Sequence, residues 1–277
     1  MKKLITRAIT GGAYVALIVI SLLIDSPILF VLLFAIFLIL GINEFQSLTN
    51  NNKEHKIIKG LDILGGLIMF LSFYWKSTHP ETGIEIIAPY LAYIIIRNIY
   101  QLYIKAGNIL EEWAYSFMGQ FFVALPISLL SIIYNNYNPK ILLAVFIFIW
   151  LNDTGAFCVG SLIGKNKLFE RISPKKSWEG FWGGLFLCVF TSIIFYYFGN
   201  SFFNGPELAV WIGLSIIVSI FSTWGDLCES LIKRSLGVKD SGNILPGHGG
   251  ILDRIDSLLL VSPTVLLYFS IISFLAF

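Results

Sequence analysis

Several acidic residues stand inside apolar runs, among them Asp153 in WLNDTGAFCVG and Asp226 in STWGDLCESLIKR. An ionisable side chain at the centre of a lipid-facing helix costs about 2.5 to 3.5 kcal/mol on insertion scales, so each needs a chemical reason. Glu229 and Lys233 follow Asp226 by three and seven residues, which puts the three on one stripe of a helix. Such a stripe is either an ion pair that joins helices or part of a site for a charged ligand. The next segment, KDSGNILPGHGGILDRIDS, adds Asp240, Asp253 and Asp256, the last two spaced to share a face if a helix starts there. Two carboxylates so placed can share a divalent cation, and oxygen ligands suit magnesium, which keeps waters and borrows phosphate oxygens. Asp253 with Arg254 can equally be a helix start in which the acid favours the dipole.

Gly242, Gly247, Gly249 and Gly250 crowd the same segment. Glycine lets backbone amides approach a phosphate closely or turn with positive φ. His248 between two of them is a base, a phosphate donor or a loop hydrogen-bonder. A second polar segment, GKNKLFERISPKKS from Gly164 to Ser177, carries five cations. For Lys165, Lys167 and Arg171 the ordinary reading is orientation signal or headgroup attraction. Ser173, Pro174, Lys175, Lys176 and Glu179 are better placed to face a triphosphate, because Ser173 or Ser177 can cap a helix whose N-terminus attracts anions.

The elements that must position these groups are membrane helices. Of 277 residues, 56% are hydrophobic and 13% charged, with a mean hydropathy of +0.79, against roughly 25% charged in soluble domains. A formal net charge of +2 offers nucleic acid no basic excess. Nine runs approach the roughly 20 apolar residues that a bilayer requires: 8–24, 27–48, 61–76, 84–104, 113–134, 140–162, 178–199, 207–235 and 256–276. The first could mimic a secretory signal, but no small-residue cleavage site follows before Asp25, and an uncleaved span is expected. Cys158, Cys188 and Cys228 all fall in apolar runs and read as packing residues. Lys and Arg divide 16 to 2 between the two sides, Arg97 inside the fourth run being left out. Cytosolic loops carry that excess, so the N-terminus and both polar segments are expected in the cytosol and the C-terminus outside. One membrane domain is expected over 1–277, with N-terminal helices in 1–135, catalytic helices in 140–277 and cytosolic loops at 164–177 and 236–255.

The stretch SLIKRSLGVKDSGNILPGHGGILDRID, Ser230 to Asp256, resembles the signature of the phosphatidate cytidylyltransferases, or CDP-diacylglycerol synthases. WLNDTGAFCVGSLIGKNKL and ISPKKSWEG resemble further blocks of that family. The resemblance implies an all-α polytopic enzyme of the cytoplasmic membrane that joins CTP to phosphatidic acid, giving CDP-diacylglycerol and pyrophosphate. It implies magnesium with a second metal such as K+, and a homodimer. Asp226 and Asp253 would hold metal, with Asp256 as a further ligand. Lys233, Arg234, Lys239, Lys175 and Lys176 would offset phosphate charge, with Asp240 and Arg254 in the same catalytic segment. Asp153, Ser173, Glu179, His248, Gly249 and Gly250 would line the substrate site. A lipid phosphate is mostly dianionic at neutral pH and can attack the α-phosphorus of CTP without a general base. The rivals are a transporter, which would show broken spans in two repeat halves near the midplane, and another CTP-using lipid kinase.

Overall fold

The computed structural model describes residues 2–50, 58–104, 108–244, 247 and 249–275, with backbone alone for 2–5, 7 and 8. Lys53, Lys56, Lys105 and His248 lie outside the described residues, as do the side chains of Lys2, Lys3 and Arg7. In chain order the elements are α1 (Lys2–Leu23), α2 (Pro27–Thr49), α3 (Lys59–Thr78), α4 (Ala88–Gln101), α5 (Ile109–Gly119), α6 (Leu125–Asn136), α7 (Pro139–Ile163), β1 (Lys167–Phe169), β2 (Ser173–Ser177), α8 (Trp178–Phe203), α9 (Leu208–Ser235), α10 (Leu252–Ile255) and α11 (Leu258–Leu275). A π turn, Gln120–Ala124, joins α5 to α6.

Among the described residues, six stretches are long and apolar enough to cross a bilayer: Pro27–Thr49, Ile109–Asn136, Pro139–Ile163, Trp178–Phe203, Leu208–Ser235 and Leu252–Leu275. The other three runs read from the sequence are helices too. Of these, α4 has only 14 residues, and α3 carries Lys59, Asp62 and Lys76 within its 20. Helices dominate because lipid offers backbone groups no partner, so each segment must satisfy its own.

The chain forms two compact units. The first comprises Met1–Asn136 and Asp240–Arg254. Its helices begin on local signals. Ser26 Oγ accepts from Leu29 N–H at the start of α2, with Pro27 at the first helical position, and Asn108 accepts from Glu111 N–H before α5. Phe30 stacks on Tyr134 with ring centroids 4.1 Å apart and lies 4.8 Å from Phe34, which makes an aromatic core.

Beside that core lies a buried polar network. Asp62 and Arg97 are both fully buried and pair at 3.1 Å. Asp62 also accepts from Tyr93 OH (2.9 Å), Ser116 Oγ (2.6 Å) and Gln46 Nε2 (2.5 Å). Arg97 donates to Gln101 (2.5 Å), which donates on to Glu112 (2.6 Å). Arg97, an isolated charge when read along its apolar run, thus has its partner on α3. Removing one member of such a pair leaves an uncompensated buried charge and typically costs about 3 to 5 kcal/mol. Arg97→Ala should therefore lower the melting temperature in detergent sharply or prevent accumulation; a parental melting curve would show that the network contributes nothing.

The second unit comprises Tyr137–Lys239 and Ile255–Phe277. Its centre is a close seam of α7 and α8. A Cβ on Gly180 would meet Ala156 O at 2.7 Å, and one on Gly155 would meet Gly183 O at 3.0 Å. Small residues at four-residue spacing, Ala156/Gly160 on α7 and Gly180/Gly184 on α8, let the two backbones touch, as membrane helices do where dispersion must replace the hydrophobic effect. Overpacking such a contact typically costs about 1 to 3 kcal/mol. Gly180→Ala should thus lower the melting temperature by several degrees, and an unchanged melting curve would show that the seam can spread freely. Farther along, fully buried Trp211 of α9 meets Phe148, Phe195 and Phe203 edge-on.

Candidate active site

The segment between α7 and α8 is a hairpin rather than an open loop. β1 and β2 pair antiparallel, Ile172 N–H donates to Phe169 O (3.2 Å) at the turn, and Trp178 N–H donates to Asn166 O (2.9 Å) at its base. Glu179 pins that base. Its carboxylate accepts from Lys165 N–H and Asn166 N–H, both at 3.2 Å, and from Asn166 Nδ2 (2.7 Å). Ser177 caps α8 as its residue type suggests, accepting from Gly180 N–H at 3.2 Å.

A cavity of about 240 Å³ in the second unit is lined by Asp153, Lys175, Lys176, Ser177, Gly180 and Asp226, with Asn152, Thr223, Phe157 and Phe181 among its other walls. The hairpin brings the lysines and α8 brings the capped N-terminus, whose amides and dipole favour an anion. α7 and α9 bring the carboxylates. Lys176 Nζ lies 2.7 Å from Asp226 Oδ2, with both side chains about one-quarter to one-third exposed. Ser230 Oγ, one turn on, donates to Asp226 Oδ1 (3.1 Å).

Beneath the cavity Asn152, only 1% exposed, donates to Thr223 Oγ1 (3.2 Å) and accepts from Ser219 Oγ (2.7 Å). This bridge sets α7 against α9, so that the neighbouring Asp153 and Asp226 line one space. Asn152, Thr223 and Ser177 as a cavity wall escaped sequence reasoning, although polar residues four apart at Ser219 and Thr223 in an apolar helix are the signal that marks them.

The remaining expected residues of this unit take other places. Glu229 and Lys233 form an ion pair within α9, both buried, and this pair joins successive turns of one helix rather than two helices. Arg234 donates to Val238 O (2.9 Å) and reaches Ile172 O at 3.4 Å, so it ties the hairpin turn to the end of α9. Ser173 starts β2 half-buried, and Lys239 is exposed. Asp256 sits in the break between α10 and α11, its Oδ1 accepting from Ser257 N–H (2.6 Å). The charges of Asp226, Glu229 and Asp153 all bear on it.

Residues of the first unit form a distinct arrangement. Asp253 Oδ2 accepts from Ser241 N–H (2.9 Å) and Gly250 N–H (2.8 Å). Gly249 has φ +81°, and a Cβ there would meet Asp253 Oδ2 at 2.4 Å, so this position requires glycine on both counts. Asp240 and Arg254 are exposed, and Arg254 O accepts from Tyr14 OH (3.1 Å).

The donor chemistry fits magnesium. Asp153 and Asp226 line the cavity as carboxylate oxygen donors, with Lys176 beside Asp226. Among the described residues no three His, Cys, Asp or Glu side chains already form a cage. Magnesium takes one or two carboxylates and completes its octahedron with waters and phosphate oxygens, so this set suits a metal that arrives with a nucleotide.

The sequence model of the Cytidylyltransferase family matches residues 5–272. A phosphatidate cytidylyltransferase of Staphylococcus aureus is 42% identical over 164 residues, which cover 56% of this chain and 61% of that protein's length. One of Staphylococcus epidermidis is 35% identical over 258 residues, 88% of this chain and 94% of the relative. One of Staphylococcus haemolyticus is 52% identical over 124 residues, 44% of this chain and 46% of the relative.

Proposed function

Because the chain belongs to the Cytidylyltransferase family, we propose that it transfers the cytidylyl group of CTP to phosphatidic acid, forming CDP-diacylglycerol and releasing pyrophosphate. The observation that carries this reading is the cavity of the second unit, where Lys176 and Asp226 pair at 2.7 Å beside the capped N-terminus of α8. A cation able to meet phosphate and a carboxylate able to meet metal are held there ready for exchange of partners. The names of the staphylococcal relatives supply the substrates.

An oxygen of the lipid phosphate attacks the α-phosphorus of CTP, one P–O bond forming as the bond to pyrophosphate breaks. The attacking oxygen is already ionised, because the second pKa of a phosphate monoester is near 6, and the protein needs no general base. Lys175, Lys176 and the N-terminal amides of α8 bind and orient the triphosphate. Asp226 would hold magnesium, with Asp256 as a further ligand that the family resemblance implies, and the same resemblance implies a metal-holding role for Asp253 in the first unit. Magnesium held there would supply charge neutralisation between the two anions and on the leaving pyrophosphate. A second, monovalent ion such as K+ and a homodimer complete the proposal.

The test mixes detergent-purified protein with CTP, phosphatidic acid and magnesium and measures cytidine in the lipid phase. Magnesium- and lipid-dependent product is expected, and none across a range of acyl chains and metals would overturn the reading.

The 16 to 2 division of Lys and Arg also supports an inner-membrane protein with its N-terminus and active site in the cytosol and its C-terminus outside. Single cysteines at Lys176 and Asn204 should then respond differently to an impermeant thiol reagent added to intact cells, with labelling expected only at 204. Labelling confined to 176 would reverse the orientation.

A further inference from the structure

Glu44 lies near the end of α2, in a half of the chain with no recognisable motif, and is only 3% exposed. Its carboxylate is spent on the glycine-rich segment some two hundred residues away. Oε1 accepts from Ile251 N–H (2.9 Å), and Oε2 accepts from Leu252 N–H (2.9 Å) and Ser241 Oγ (3.1 Å). The same serine gives its backbone N–H to Asp253 Oδ2 at 2.9 Å. One buried carboxylate thereby ties together both ends of the segment and the start of the turn that carries Asp253.

The glycines record this contact. A Cβ at Gly250 would meet Glu44 Oε2 at 2.3 Å and Ser241 Oγ at 2.2 Å, and one at Gly242 would meet Glu44 Oε1 at 2.8 Å. Gly242 and Gly250 both have ordinary backbone angles, so approach to Glu44, not positive φ, is what excludes a side chain there. A buried carboxylate accepting backbone N–H groups also makes charge-assisted bonds, about twice as strong as neutral ones.

We propose that Glu44 is a positioning residue for the cytidylyl transfer: it fixes the backbone from which Asp253 is presented. This rests on the function proposed above. Glu44 touches no reacting atom in this account and acts through Ser241, Ile251 and Leu252.

The experiment compares parent, Glu44→Gln and Ser241→Ala as full-length protein in detergent, reading kcat, the KM for each substrate, the magnesium concentration for half activity and the melting temperature. Glu44→Gln keeps the shape but turns one acceptor oxygen into a donor that faces N–H or O–H groups. Hydrogen bonds to charged groups weigh enough that its kcat should fall about tenfold to a hundredfold, with a raised magnesium requirement and a KM for phosphatidic acid near that of the parent. Ser241→Ala removes one of the three bonds and should show a smaller loss in the same direction. A merely structural Glu44 would lower the melting temperature while kcat per folded molecule and magnesium requirement stayed parental, and that result overturns the proposal. If Glu44→Gln fails to accumulate, Ser241→Ala decides: reduced kcat at a parental melting temperature supports the proposal, and parental kcat overturns it. An inactive parent would instead refute the cytidylyl-transfer reading itself, and with it this proposal.

Discussion

Asp226→Asn is expected to leave a folded, membrane-inserted protein whose transfer rate has fallen about a thousandfold or more. A catalytic metal supplies several kcal/mol of transition-state stabilisation, and about 1.36 kcal/mol is worth a factor of ten. The substitution keeps the shape and removes one negative charge. Its effect on stability should be small, because the pair it weakens, Asp226 with Lys176, is about one-third exposed, and exposed pairs contribute about 0 to 1 kcal/mol. Magnesium should raise the melting temperature of the parent, and the variant should lose part of that rise, since a ligand stabilises only the state that binds it. Full activity, or collapse of folding with an unaltered magnesium response, would make Asp226 a structural residue. Asp253→Asn should behave differently, because Asp253 Oδ2 accepts two backbone N–H groups. Loss of activity there should come with a lower melting temperature.

Lys176→Ala is expected to lower kcat/KM for CTP by about tenfold to a hundredfold, the worth of one or two units of 1.36 kcal/mol for a charge-assisted contact to phosphate. The variant should keep the parental KM for phosphatidic acid and a near-parental melting temperature. Lys175 lines the same cavity but is more exposed, so Lys175→Ala should give the same direction with a smaller loss. Raising the ionic strength should narrow the gap between parent and variant, because partly exposed charges are screened. Unchanged kinetics toward CTP in correctly inserted protein would return both lysines to the role of orientation signal.

Much of this molecule is legible locally. The apolar runs mark the helices because a segment in lipid must satisfy its own backbone, and Ser177, one of two serines whose type suits a cap, starts α8. Asp153, Lys175, Lys176 and Asp226 come from separate motif blocks and line one cavity. Short motifs identify chemistry-bearing residues because each residue type limits what it can do.

Sequence alone thus determined the membrane class, the helical elements, the family and the polar segments in which chemistry must occur. What it left open are relations between distant positions, which no local period encodes. Glu179 reads as a substrate group until the hairpin folds back and offers it the Lys165 and Asn166 amides. Arg97 reads as a charge stranded in an apolar run until α2, α3, α4 and α5 close around it and Asp62. Glu44 carries no motif at all; its meaning depends on the Ile251 amide, 207 residues on. A buried carboxylate must find donors wherever the fold supplies them, so its role is decided by tertiary packing and by nothing nearer in the chain.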